Sequence, residues 1–279
     1  MNGGFSMKKT ATLMLATFLL FFMSFPVSAE IISKNNLPEL VDEISKLDSQ
    51  NINNENIADL SQKVNSLTDK EFDDFIVAYL TGDKEFTKID NLLKVGIIIQ
   101  PPKKADEKII TQGFEARDLN IYVTATKRIG DPFYRLLAYY KPSAAEQFPA
   151  SYDSITLSWD SSKGDFYSYN TSNSNYNSLK SPAGAYNGTL VFNSYDYRYS
   201  ILTPEQYVAA YVTPIASGYL DFAVEYQHSF TNFTFSGTLD PSVTFSGLGI
   251  VKGSIGAKIN WAPQETIWYK SDINAVNLP

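Results

Sequence analysis

Residues 219–230 read YLDFAVEYQHSF and alternate apolar and polar side chains over their whole length. In an extended chain, the even-numbered residues from Leu220 to Phe230 fall on one face and the odd-numbered residues fall on the other. This period of two predicts a half-buried β-strand. A second run with the same period extends from Val251 to Trp261.

Shorter strand candidates occupy the chain around these two runs, separated by turn signals. Leu119–Ala125 and Phe133–Tyr140 flank Gly130-Asp131-Pro132, which predicts a hairpin. The Thr203–Gln206 stretch also resembles a helix start, so the strand prediction that follows it competes with a helix. The remaining candidates are Ser154–Trp159, Phe166–Asn170, Thr189–Asn193, Tyr207–Thr213, Phe233–Phe235 and Val243–Leu248.

The region before residue 100 has the helical period instead. Thr68 and Glu71 form a capping box, and Gly82 can end the helix that it begins. Four short amphipathic helices are expected, each too short to be stable alone in water. Their apolar sets are Leu40, Val41, Ile44 and Leu47, then Ile57, Leu60, Val64 and Leu67, then Phe72, Phe75, Ile76 and Tyr79, and finally Phe86, Ile89, Leu92 and Leu93.

The change of period divides the chain. Residues 1–29 are expected to be a signal peptide, residues 30–99 an acidic helical segment, residues 100–106 a linker and residues 107–279 an antiparallel β-sandwich domain. The linker prediction rests on the two prolines and two lysines that follow Gln100. About ten strands without alternating helices favour a mainly β sandwich preceded by a small helical N-terminal segment.

The N-terminal segment is typical of a secretory signal. Lys8 and Lys9 precede an uncharged apolar run, and Val27-Ser28-Ala29 resembles a cleavage site. Either Met1 or Met7 can be the start, and an uncleaved membrane anchor is the alternative. We therefore expect a secreted, extracellular or cell-wall associated protein of a bacterium, with no stable membrane span after cleavage.

Composition excludes several classes of function. The chain has no cysteine and one histidine, so thiolate zinc sites, disulfide frameworks and clusters of histidine ligands are ruled out by count. After removal of the predicted signal, 21 basic residues face 30 acidic ones, a net charge of −9. Without a basic stripe, nucleic acid is not an expected partner. No cofactor or metal is expected either.

Catalysis has few candidate residues. His228 lies on the apolar face of its predicted strand, while Asp221 and Glu225 point to the opposite face, which favours a packed histidine over a general base. A glycoside hydrolase would need two carboxylates at a defined spacing. The candidates are Asp160 and Asp165 around a turn, and Asp221 and Glu225 on one strand face; calcium at the first pair lacks the usual ligand loop.

The most unusual stretch is Phe166–Ser200, which holds seven of the 18 tyrosines among asparagines and serines. Rigid amphipathic rings among small polar residues are typical of recognition surfaces. The alternative is that these tyrosines fill half-buried strand positions. The candidate binding residues are Tyr167, Tyr169, Tyr176, Tyr186, Tyr195 and Tyr197.

The resulting hypothesis is an exported, non-enzymatic binding protein for a polysaccharide or another cell-envelope component. A pore-forming toxin is the first alternative, because Thr231–Asn260 alternates Ser, Thr and Gly with apolar residues. A carboxylate-based glycoside hydrolase is the second alternative.

Overall fold

The computed structural model describes residues 36–47, 54–82, 88–102, 119–142, 153–181, 184–195, 205–229 and 267–279. The predicted signal and the strands predicted within residues 233–261 lie outside these ranges. Within the described ranges, no helix has the length and apolar character needed to cross a membrane.

The described parts of residues 36–94 contain four helices: α1 (Leu37–Ser45), α2 (Asn54–Ser66), α3 (Asp69–Gly82) and α4 (Ile89–Lys94). The capping box at the start of α3 is confirmed. Thr68 N donates to Glu71 Oε2 at 2.9 Å, and Glu71 N donates to Thr68 Oγ1 at 3.3 Å. The predicted apolar face of α4 is wrong at Leu93, which is 51% exposed.

Within the described residues, ten strands form two antiparallel sheets, which confirms the predicted sandwich. The middle sheet has the order β1-β2-β3-β8-β5, and the outer sheet has the order β10-β9-β4-β7-β6. The strands are β1 (Ile97–Gln100), β2 (Leu119–Arg128), β3 (Tyr134–Pro142), β4 (Asp153–Trp159), β5 (Gly164–Thr171), β6 (Asn177–Ser181), β7 (Thr189–Ser194), β8 (Gln206–Pro214), β9 (Gly218–Ser229) and β10 (Ile267–Leu278).

The half-buried strand predicted from the alternation in residues 219–230 is confirmed as β9. Leu220, Phe222, Val224 and Tyr226 point into the space between the sheets, where they meet the inward residues of β2, β3, β4, β7 and β8. Trp159 lies in the same cluster and donates its indole N–H to the Gly164 carbonyl at 2.9 Å. The predicted hairpin of β2 and β3 is also confirmed.

The helices cover the other face of the middle sheet. Their buried apolar residues form one cluster with Phe133, Leu137 and Tyr139 around β3 and with Tyr207 and Tyr211 of β8. Residues 134–140 and residues 206–212 are consequently buried without a break. A strand that is covered on both faces needs no polar alternation. Residues 206–214 are such a strand, so the helix that the Thr203–Gln206 signal offered as an alternative does not form there.

Three strands differ from expectation. Residues 97–100 form β1, where the end of the helical segment was expected, and β6 and β10 were not predicted. In β10, Asp272 and Asn274 bond to the β2 backbone: Val123 N donates to Asp272 Oδ2 at 2.7 Å, and Asn274 Nδ2 donates to the Val123 carbonyl at 3.3 Å. Because these polar side chains point inward, the sequence of β10 lacks the apolar alternation that predicts a half-buried strand. The division of the chain at residues 100–106 stays a prediction.

A buried arginine joins α3 to the middle sheet. Arg135 of β3 is fully buried and donates to Asp69 and Asp131 at 2.5 Å each. Its guanidinium also lies 4.6 Å from the Phe72 ring centroid and 4.7 Å from that of Phe133. An unpaired buried cation would be very costly, so these carboxylates and rings fix the position of α3.

Asp73 completes this cluster on α3. It is fully buried, its Oδ1 lies 3.4 Å from Arg135 Nε, and its Oδ2 accepts from Tyr211 at 2.7 Å and Asn170 at 2.8 Å. Burial raises the pKa of Asp73 to about 6, against the opposing effects of Arg135 and the two hydrogen bonds. The folded protein therefore binds this proton more readily than the unfolded chain.

This raised pKa predicts a pH-dependent stability difference between the wild type and Asp73→Asn. The Asp73 contribution is fully present below the ordinary pKa of 3.8 and is lost as the pH rises through about 6. Lowering the pH from 7.5 to 5 should stabilise the wild type by about 1–3 kcal/mol relative to Asp73→Asn. Urea unfolding of both proteins at each pH measures this difference. Equal pH dependence in the two proteins would contradict the assignment.

Candidate functional site

The long connections between strands leave from one end of the sandwich. Strand register places Leu119, Pro142 and Gln206 at one end of the middle sheet. The turns at 160–163 and 215–217 join the two sheets at the opposite end. Connections 103–118, 143–152, 196–204 and 230–266 therefore all attach at the first end, which we name the polar end.

Six polar side chains from five strands meet inside the sandwich at the polar end. Each of them is no more than 5% exposed. This polar cluster lies among the last inward-facing positions before the long connections begin. Its members are Tyr140, Asp153, Asn177, Ser194, Tyr226 and His228.

His228 lies on the inward face of β9, as predicted, but it has a carboxylate partner that local sequence does not indicate. Its Nδ1 lies 2.9 Å from Oδ2 of Asp153, and the same oxygen accepts a hydrogen bond from the Tyr226 hydroxyl. Asp221 and Glu225 point away from His228, as expected. The partner is missed because Asp153 lies on β4, 75 residues earlier in the chain.

Hydrogen bonds extend the polar cluster between the two sheets. The Tyr140 hydroxyl of β3 bonds to Asn177 Oδ1 at 2.6 Å and lies 2.8 Å from Ser194 Oγ. Asn177 Nδ2 donates to Ser172 Oγ at 3.3 Å, and Ser172 donates to Gln206 Oε1 at 2.7 Å. The six residues of the polar cluster are buried, whereas Ser172, which joins them to Gln206, is half-buried. This network can therefore hold the strand ends in place.

The candidate tyrosines of β5 lie at one lateral edge of the sandwich. Within the described residues, β5 and β6 are the edge strands on this side, and Tyr167 and Tyr169 are 58% and 44% exposed. The Tyr167 ring stacks on Phe133 of the helix-facing cluster at 4.9 Å. The Tyr169 ring lies 6.2 Å from Phe192, which belongs to the sandwich core. The Tyr167 ring therefore contacts the cluster between the helices and the middle sheet, whereas the Tyr169 ring contacts the core between the two sheets.

Tyr176 and Tyr195 are brought together where this edge meets the polar end. Tyr195 N donates to the Tyr176 carbonyl at 2.7 Å, and Ser178 Oγ donates to the Tyr195 hydroxyl at 3.2 Å. Tyr186 is 87% exposed in a 3-10 turn at the other end of β7, about 20 Å away along the strand. Tyr197 lies outside the described residues.

These positions define the tyrosine edge, by which we mean Tyr167, Tyr169, Tyr176, Tyr186 and Tyr195. Residues 166–195 contain a single charged side chain, Lys180. Tyr176 adjoins a turn with exposed Asn173 and Asn175, and Asn175 N donates to Asn173 Oδ1 at 2.9 Å. Asp165 of β5 is exposed just before this stretch, and Lys70 Nζ of α3 donates to the Ser172 carbonyl at 2.8 Å. The edge is therefore aromatic and rich in amides, with few charged side chains.

Two observations argue against the carboxylates proposed for a hydrolase: Asp160 is engaged in a turn, and Asp221 and Glu225 lie too far apart. Asp160 Oδ1 accepts hydrogen bonds from Ser162 N at 2.9 Å and Ser162 Oγ at 2.7 Å, so its carboxylate holds the turn. Asp221 and Glu225 are four residues apart on one face of β9, a separation of about 13 Å. Hydrolase carboxylates lie about 5–10 Å apart. Among the described residues, no group of acidic or histidine side chains is arranged to hold a metal ion.

The polar cluster predicts a large effect of substituting Asp153. Replacing Asp153 with Asn keeps its size but removes the carboxylate oxygen shared by Tyr226 and His228, so the free energy of unfolding should fall by about 2–4 kcal/mol. Asp165→Asn on exposed β5 is the control and should stay within about 0.5 kcal/mol of the wild type. Chemical denaturation measures both variants. Similar values for the two would show that the cluster does not stabilise the polar end.

Comparison with known proteins gives no family for the chain. No family model matches the sequence, and no curated protein matches it. Among solved structures, one that resembles part of the chain is the seventh ScaB type I cohesin from Pseudobacteroides cellulosolvens. The two are 11% identical, the match covers 36% of this chain and 77% of the cohesin, and the TM-score is 0.24.

Proposed function

We propose that this chain is an exported, non-enzymatic binding protein whose tyrosine edge binds a polysaccharide of the cell envelope or its surroundings. The observation that carries the proposal is the placement of five exposed or half-exposed tyrosines along one side of the sandwich that has few charged side chains. Export rests on the signal pattern of residues 1–29.

Several of these rings are held by neighbours before any ligand arrives. Phe133 stacks on Tyr167 at 4.9 Å and on Tyr211 at 4.9 Å, so the exposed Tyr167 ring extends a stack that begins under α3. Tyr195 is positioned by its bonds to Tyr176 and Ser178. Rings that are already ordered lose little conformational entropy on binding, which favours affinity.

The small number of charged side chains at the tyrosine edge favours a neutral ligand over a polyanion. Nucleic acids and other polyanions need several cations to neutralise them, whereas residues 166–195 contain a single one, Lys180, and Lys70 of α3 bonds to the Ser172 carbonyl beside it. A neutral glycan needs flat apolar faces for its rings, together with amide and hydroxyl partners for its hydroxyls. Tyrosine with asparagine and serine provides both kinds of contact.

The test is retention of the purified protein on neutral cell-wall and plant glycans. We expect at least one glycan to retain the protein, and retention should persist at about 0.5 M salt because charges contribute little. Tyr176→Ala and Tyr195→Ala should each weaken binding about 10-fold, and Tyr167→Ala and Tyr169→Ala should show whether the site extends along β5.

Tyr219→Ala and Tyr269→Ala are the matched controls. These tyrosines are 67% and 50% exposed on β9 and β10, away from the tyrosine edge. Both variants should bind like the wild type. The proposal fails if no neutral glycan retains the protein, or if the control variants lose as much binding as the edge variants.

A further inference from the structure

The central part of the outward face of the outer sheet is polar and yet almost completely buried. Seven outward-facing residues on β4, β7 and β9 are each no more than 4% exposed. Strand register places them side by side across these three strands. We name this surface the hydroxyl face; it consists of Ser154, Thr156, Ser158, Thr189, Val191, Ala223 and Gln227.

Nothing in the described part of the chain covers the hydroxyl face. The helices pack on the middle sheet, and the sandwich core lies on the inward side of the outer sheet. Ser158 lies opposite both Thr189 and Ala223, and such small side chains cannot shield one another from solvent. Their burial therefore requires a further layer.

The hydroxyl face also presents buried polar atoms toward that layer. Ser154 Oγ, Thr156 Oγ1 and Gln227 Oε1 are buried and have no hydrogen-bond partner among the described residues. Beside them, burial raises the pKa of the Glu225 carboxyl, whose Oε1 accepts from Gln227 Nε2 at 2.6 Å. Unpaired buried polar atoms are costly, so a covering layer needs donors and acceptors of its own.

The covered area is narrow. On β10, the next strand of the sheet, Ser271 is exposed and Tyr269 is 50% exposed on the same outward side. Three adjacent strands span only about 10 Å between the outermost strand axes. This width fits one or two passes of a polypeptide better than the surface of a second globular molecule.

We propose that residues 230–266 of the same chain dock on the hydroxyl face. Strand β9 ends at Ser229 and β10 begins at Ile267, and these two residues pair directly. The 37 intervening residues therefore leave and return at one point, at the polar end of this sheet. Two extended passes of about 20 Å need roughly 12 residues, so the segment is long enough to cross the face and return.

The composition of residues 230–266 suits the surface. The segment contains nine serines and threonines but only four charged residues. Hydroxyl groups can pair with the unpartnered Ser154, Thr156 and Gln227 atoms, whereas many charges would be costly to bury there.

Cysteine reporters test the proposal, because the natural chain contains no cysteine. Thr156→Cys places a thiol at the centre of the hydroxyl face, and Ser271→Cys is the exposed control on β10. In the full chain, maleimide should label Thr156→Cys about 100-fold more slowly than Ser271→Cys. Replacing residues 230–266 with an Asn-Gly turn should bring the two rates to within a few-fold of each other.

Continued protection of Thr156→Cys after this replacement would overturn the proposal, since another part of the chain or a second molecule would then cover the face. Protection that depends on protein concentration would identify a second copy and overturn it as well.

If the replacement variant does not fold, crosslinking in the full chain decides. Thr156→Cys is combined in turn with Thr234→Cys, Thr244→Cys and Ser254→Cys and treated with a short bismaleimide. At least one pair should crosslink within a monomer, whereas the same segment positions paired with Asp42→Cys on α1 should not. Absence of any crosslink to Thr156→Cys would contradict docking.

Discussion

Seven consecutive residues of β3 and seven of β8 are buried on both faces of one sheet, and the other layers depend on these two strands. One side of the pair contributes Leu136, Ala138 and Val208 to the sandwich core. The other side carries Leu137, Tyr139 and Tyr211 into the cluster with the helices. Because the helices are too short to be stable alone, this shared sheet is the surface that lets them form.

Arg135 determines how the helical layer sits on that sheet. The buried cation pairs with Asp69 and Asp73 of α3 and with Asp131 beside β3, and loss of these partners would leave it unpaired at a large cost in stability. The acidic character of the helical segment therefore has a partly structural explanation. Three of its carboxylates, those of Asp69, Asp73 and Asp74, bond to side chains of the sandwich.

Local sequence patterns predict the elements that follow one simple period. The capping box of α3 and the alternation of β9 depend on neighbours in sequence, and both are confirmed. The same patterns fail where the environment is set by distant residues. In β10, Asp272 and Asn274 point inward because the β2 backbone needs partners, and Asp153 reaches His228 from another strand. For the candidate site, sequence indicates the tyrosines, but only the fold shows that Tyr176 and Tyr195 adjoin while Tyr186 lies at the far end of β7.

Because the helices and the sandwich share the middle sheet, we expect them to unfold as one cooperative unit. Urea unfolding followed by two signals tests it directly: helical circular dichroism reports on residues 37–94, whereas all three tryptophans lie after residue 158. We expect the two transitions to coincide in midpoint and slope, as for a single cooperative unit. Loss of the helical signal at lower urea, with tryptophan fluorescence unchanged, would contradict the claim.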